Sequence, residues 1–221
     1  METIEPSVGF DLTEHRLEQC ALKKKPLDRY AEVGCRGVTD LPQPTPRTGA
    51  TVIIERGALD GLLAAICNQG YQLVGPTVHD GAIVYRDVHS AADLPIGWGD
   101  EQDGGTYRLR RREDEAVFGY AVGPQSWKQF LFPPRLRLWK ARHVQDGEGL
   151  EFVEEPNDPP RYAFLGVRSC ELHAIAIQDQ VFLPSAHPDQ SYAARREDVL
   201  LVAVNCGDPS GTCFCASMGT G

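Results

Sequence analysis

The sequence has no apolar run long enough to cross a membrane and no apolar leader at its N-terminus, so it reads as a protein of a reducing, cytoplasmic compartment. It has no basic excess: 22 Lys and Arg stand against 31 Asp and Glu, a net charge of −9. That balance argues against nucleic acid or an anionic membrane as the main partner. No G-x-G-x-x-G follows a strand pattern and no G-x-x-x-x-G-K loop occurs, which removes the usual nucleotide-binding signatures. Paired C-x-x-C motifs are absent, and so is C-x-x-C joined to H-x-x-x-H, the two common zinc patterns. No repeat of solenoid period is present. Asp100, Glu101 and Asp103 crowd into one stretch and read as solvated carboxylates, not as an acid/base pair. No bond-making active site is predicted.

What the chain does have is cysteine gathered near its C-terminal end. Of seven cysteines, Cys170, Cys206, Cys213 and Cys215 lie between Arg161 and Gly221. Tyr162 to Val167 is an apolar run of strand length. Leu172, Ile175, Ala176 and Phe182 recur at helical spacing over the next segment. Val199 to Val204 is a second apolar, β-branched run. Strand, helix, strand predicts a parallel βαβ unit. Cys170 then falls in the first turn of the helix and Cys206 just past the second strand. Both lie at the carboxyl edge of the sheet, where open α/β folds bind ligands. Neighbouring strands run about 4.8 Å apart, so the two sulfurs can approach one centre. Cys213 and Cys215 follow a short loop that can fold back over that edge. An extended C-x-C would aim both side chains one way and Phe214 the other.

In a reducing compartment grouped thiols point to metal before disulfide. Four thiolates suit an iron–sulfur cluster or a structural zinc ion, and unligated thiols remain a third possibility. A helix N-terminus at Cys170 favours an anionic thiolate or an anionic cluster. His173, three residues on, can reach toward the same site, and Arg168 can tune it by charge. Asp179 reads as a group that orients the backbone or an arginine.

The rest of the chain reads as one α/β domain over 49–221 with a mixed sheet, preceded by a flexible arm over 1–48. The arm carries Lys23 to Lys25, the spaced prolines Pro42, Pro44 and Pro46, and two incidental thiols, Cys20 and Cys35. Residues 51–55 read as a strand, then Ala58 to Gln69 as a helix stopped by Gly70, with Cys67 as a core filler. Tyr71 to Val74 reads as a strand, Gly75-Pro76 as a turn, and Ala82 to Val88 as a strand entered through the hairpin signal Asp80-Gly81. Residues 89–106 read as a loop pinned by Trp98. Tyr107 to Arg112 and Val117 to Val122 read as strands, and Ser126 to Phe132 as a helical turn stopped by Pro133. Residues 135–144 alternate basic and apolar side chains, as a half-buried strand with a cationic face would. Residues 145–160 read as a turn and a linker.

A resemblance adds to this. The blocks GVRSCELHAIAIQD, VNC and CFCASMGTG, with GPTVHDGAIVY, DLPIGWGDEQDGGTYRL and YAVGPQSWKQFLFPPRLRLW upstream, resemble the electron-transfer β subunits of cytosolic nickel–iron hydrogenases (sulfhydrogenases). They are also similar to a related component of anaerobic sulfite reductase. The resemblance covers roughly residues 50 to 221. It implies an electron-carrying subunit of a larger oxidoreductase, with other hydrogenase or flavoprotein subunits as partners. Residues 1 to about 48 lie outside the resemblance. Members of that family run on into a ferredoxin-like part with two C-x-x-C-x-x-C-x-x-x-C-P runs, which these 221 residues do not contain; the expectation is a fragment or a truncated relative. Together, the expectation is one [4Fe–4S] cluster held by Cys170, Cys206, Cys213 and Cys215. A zinc-stapled or metal-free module that docks a redox complex is the alternative.

Overall fold

Helix α1 (Leu59–Asn68) opens the folded region, entered through a 3-10 turn at Arg56–Ala58. The computed structural model describes residues 49, 51–143, 149–184 and 186–221; the arm over 1–48, with Cys20 and Cys35, lies outside them. Strands β1 (Gln72–His79) and β2 (Ala82–Asp87) form a hairpin, then β3 (Trp98–Asp103) and β4 (Thr106–Arg111) form a second. After a short helix α2 (Lys128–Leu131), strands β5 (Trp139–His143) and β6 (Leu150–Glu154) make a third. The chain ends through β7 (Tyr162–Val167), α3 (Ser169–Phe182), α4 (Gln190–Glu197), β8 (Leu200–Ala203) and α5 (Cys215–Met218).

The central sheet has the order β2-β1-β7-β8. β1 pairs antiparallel with β2 and parallel with β7, and β7 pairs parallel with β8. The sheet is therefore mixed, and its C-terminal half is the parallel βαβ unit that the apolar runs predict. Val74 and Phe164 face one side, where Trp127, Leu131, Ile175 and Tyr192 pack. Leu73, Ala163 and Leu165 face the other, against Leu63 and Ile66 of α1. Trp127 is the centre of the first cluster, stacked on Tyr85 at 3.8 Å between ring centroids and on Phe164 at 4.6 Å.

A bulge in β7 decides where the thiol segment begins. Pairing with β8 skips from Leu165 to Val167, and Gly166 sits at φ 90°. A Cβ there would meet Phe118 Cε1 at 3.1 Å and the Tyr120 hydroxyl at 3.3 Å. Only glycine takes this backbone without strain in so little room. The extra residue turns Val167 to the same face as Phe164 and re-aims the chain into α3.

Several elements differ from the sequence expectation. Residues 51–55 form no strand; Ile53 is 94% exposed, because a β-branched run without a partner strand has nothing to pair with. Cys67 is exposed, not a core filler, since the buried stripe of α1 is narrowed to Leu63 and Ile66. Gly75-Pro76 is no turn but the buried middle of β1. Pro76 pairs with Tyr85, whose backbone N–H goes to Gln125 and not to β1, and pairing with β7 has already ended at Val74. No ladder bond needs the missing proline N–H there. The Asp80-Gly81 turn forms as read, both residues at positive φ.

The loop assigned to 89–106 contains β3, zipped to β4 over six residue pairs. Arg111 covers the Trp98 ring at 3.6 Å to the centroid, so Trp98 is held by the hairpin. Val117 to Val122 is not a strand: its carbonyls are taken by arginine side chains instead of a neighbouring strand. The strand read over 135–144 begins only at Trp139 and is exposed along its length. Its partner β6 lies in what reads as a linker. The polar interval before β8 contains α4, capped by the Asp189 carboxylate, which accepts from the Tyr192 N–H.

Candidate thiol centre

The site is built where β7 and β8 end. Val204 N–H still donates to Val167 O at 2.9 Å, so the two strands stay paired to their last residues. One residue further, each chain carries a cysteine segment. Cys170 is the second residue of α3, half-buried; Cys206 follows β8 by three residues and is exposed. Cys213 closes a turn with Ser210, its N–H donating to Ser210 O at 3.1 Å. Cys215 is the first residue of α5.

Cys170, Cys213 and Cys215 border one cavity of about 420 Å³, a size typical of sites for small bound groups. Most of its surface is apolar, supplied by residues such as Ile177, Phe214 and Met218. Cys206 does not line this cavity. It is near enough to act on Cys170: burial first, then the charges of Glu171, Cys215 and Cys206, push the Cys170 thiol above its ordinary range. Among the described residues no three His, Cys, Asp or Glu side chains are gathered tightly enough to hold a metal ion. The C-x-C is not extended. Helix α5 starts at Cys215, so Phe214 borders the same cavity as its two neighbours and is 69% exposed. A second cavity of about 550 Å³, beside His79, Arg86 and Trp98, contains no thiol.

Local hydrogen bonds suit thiolate sulfur. Ser210 N–H points to Cys213 Sγ at 3.3 Å, and Ser210 Oγ lies at 3.3 Å from the same sulfur. Gly221 stands against Cys215 so closely that a Cβ on it would lie 3.5 Å from Sγ. His173 turns Nδ1 to Ser169 O at 2.9 Å while its ring borders the cavity.

The scaffold around the thiols holds residues that periodicity does not single out. The inward stripe of α3 is Glu171, Ile175 and Asp179, two carboxylates around one apolar side chain; Ala176, read as part of an apolar face, is exposed. Glu171 accepts from Tyr85 OH at 2.6 Å and from the Arg168 N–H at 2.9 Å, and burial raises its pKa. Asp179 accepts from Tyr192 OH at 2.8 Å and from Arg196 Nε at 3.1 Å, in keeping with an orienting role. Arg112 joins three segments: it grips the Asp114 carboxylate, Gly119 O and Asp208, two residues past Cys206. The loop after Cys206 therefore rests on the β3–β4 hairpin, where a Cβ on Gly211 would come within 3.3 Å of Gln102 O. Tyrosines that reach a buried carboxylate from other elements leave no mark in a linear pattern. Arg-Ser-Cys-Glu at the strand-to-helix junction is the one sequence signal that flags Arg168 and Glu171.

The fold is a mixed-sheet α/β domain, and Cys170, Cys213 and Cys215 border one of its cavities. Over 125 residues, 56% of this chain, the sequence is 33% identical to sulfhydrogenase 2 subunit beta of Pyrococcus furiosus. The chain spans about a third of that relative, 35% of its length. This partial match supports a hydrogenase β-subunit-like family. No family model matches the chain, and no solved structure matches it.

Proposed function

We propose that this chain is the electron-transfer subunit of a cytosolic oxidoreductase complex of the hydrogenase kind, holding one [4Fe–4S] cluster on Cys170, Cys206, Cys213 and Cys215. The observation that supports it is the shared cavity of Cys170, Cys213 and Cys215, with Cys206 within electrostatic reach of Cys170. The donor set fits: all four are free thiols, and soft thiolate sulfur is the chemistry that iron–sulfur centres take. An inorganic core of several atoms stands between its ligands, so its cysteines lie wider apart than those around a single ion.

When bound, such a cluster takes up and releases one electron at a time. The protein's own part is to hold and tune it. Ser210 directs its N–H at Cys213 Sγ and holds its hydroxyl within hydrogen-bond distance of the same sulfur, where it can donate to a thiolate. Ile177, Phe214 and Met218 give the cavity an apolar wall, and their exposed surfaces fit contact with another subunit. Hydrogenase or flavoprotein subunits are the proposed partners.

The test is anaerobic purification and reconstitution of the full chain with iron and sulfide analysis and EPR. Four irons and four sulfides per chain, with a signal on reduction, are expected. Replacing Cys170, Cys206, Cys213 or Cys215 with Ser should lower iron content at least severalfold, while Cys67→Ser leaves it unchanged. Stoichiometric zinc without sulfide would replace the electron relay by a zinc-stapled docking module.

A further inference from the structure

Arg168 carries a permanent charge sealed inside the fold, with only 1% of the residue exposed. Its guanidinium reaches three backbone carbonyls from two other segments. Nη1 donates to Asn205 O at 2.5 Å, and Nη2 donates to Phe118 O at 2.7 Å and Tyr120 O at 3.0 Å. The group also lies over the Tyr120 ring, 4.9 Å from the centroid, and its Nε has no hydrogen-bond partner. No carboxylate among the described residues forms an ion pair with it.

Carbonyl dipoles solvate a buried cation but do not neutralise it, and an unpaired charge in low dielectric is costly. Glu171 on the same turn spends one carboxylate oxygen on the Arg168 backbone N–H and the other on Tyr85. The two strand ends that Arg168 bridges both carry thiols: Cys170 two residues along its own chain, and Cys206 next to the Asn205 that it grips.

Resting on the reading of a thiolate-held cluster, we propose that Arg168 is the positioning residue and resident counter-charge of the thiol centre. Its Nη1 bond fixes the Asn205–Cys206 peptide against the start of α3, setting the place of the exposed fourth thiol. Its charge favours the more negative, reduced state of whatever the thiolates hold.

Three full-length proteins separate the two roles: wild type, Arg168→Lys, which keeps charge but loses the fork, and Arg168→Gln, which loses both. Each is purified and reconstituted anaerobically for iron analysis and EPR-monitored redox titration. Metal-free samples are followed by hydrogen exchange over 116–122 and 203–208. In Arg168→Gln the oxidised-to-reduced ratio at a fixed applied potential should rise about tenfold, a downward midpoint shift of about 59 mV for a one-electron couple. Arg168→Lys should keep the wild-type midpoint, and both variants should exchange faster at 203–208. A glutamine variant with wild-type iron and an unchanged midpoint overturns the counter-charge. Unchanged exchange in the lysine variant overturns the positioning, and remains readable if the glutamine variant does not fold. Wild-type protein that takes no iron and sulfide sinks the cluster and the counter-charge with it; exchange still judges the positioning.

Discussion

Arginines, more than cysteines, organise the residues around this site. Arg112 and Arg168 each gather carbonyls from the stretch around Gly119, which is why Val117 to Val122 forms no strand. The Arg112 fork on Asp114 holds that carboxyl at about 2, below the ordinary 3.8. A depressed carboxylate contributes its stabilisation above the unfolded pKa and loses it as pH falls through the folded one. The fork should therefore persist down to about pH 2, as an NMR titration of the Asp114 carboxyl would report. Asp208→Asn should leave that titration in place, since Asp114 keeps its own two bonds. Hydrogen exchange over 207–211 should quicken, and only a modest change in overall stability is expected, because the Asp208 carboxylate is half exposed.

At the scale of elements, the bulge at Gly166 is the most sensitive single point. Gly166→Ala combines a positive φ with contacts to Phe118 and Tyr120 at 3.1 and 3.3 Å. Strain and overpacking together should cost about 2–4 kcal/mol, read as a lower denaturation midpoint, and the variant should also bind less iron. The bulge lies inside the one unit that the sequence makes plain. The β7–α3–β8 unit is legible because β7 is buried on both faces and β8 is half-buried along most of its length, so a continuous apolar run marks each strand. It places the fold class and brings Cys170, Cys213 and Cys215 to one edge. Hairpins β3–β4 and β5–β6 are not legible, because a ribbon held by strand pairing and polar side-chain contacts needs no apolar alternation; Asp100, Glu101 and Glu151 sit in such strands. Glu171 and Asp179 hide the true inward face of α3, since a helix that buries carboxylates against tyrosines is not amphipathic in the usual sense.

For the molecule as a whole, stability is concentrated in the four-stranded sheet. Trp127, 1% exposed between Tyr85 and Phe164, belongs to that core. Trp127→Ala should cost about 3–5 kcal/mol, roughly 6–20 °C in Tm for a domain of this size. The β5–β6 hairpin behaves oppositely. Lys140 pairs with Glu155 and Arg142 with Glu151 on one face, while Trp139, Phe152 and Leu150 share the other. Trp139 is 57% and Phe152 67% exposed. Trp139→Ser and Phe152→Ser should each move the denaturation midpoint by no more than about 0.5 kcal/mol equivalent, measured side by side with the Trp127 variant. A large loss at the hairpin would mean that its apolar face is covered in the free protein.

The adjacency of β7 and β8 also bears on biogenesis. Parallel neighbours are joined only after the whole crossover through α3 and α4 has been made and docked, a non-local closure that forms late. A nascent chain therefore carries Cys170 long before the strand that delivers Cys206 emerges. If the proposed cluster is held there, loading of iron would report that synthesis has passed β8 and the sheet has zipped, so that maturation and folding would share one checkpoint.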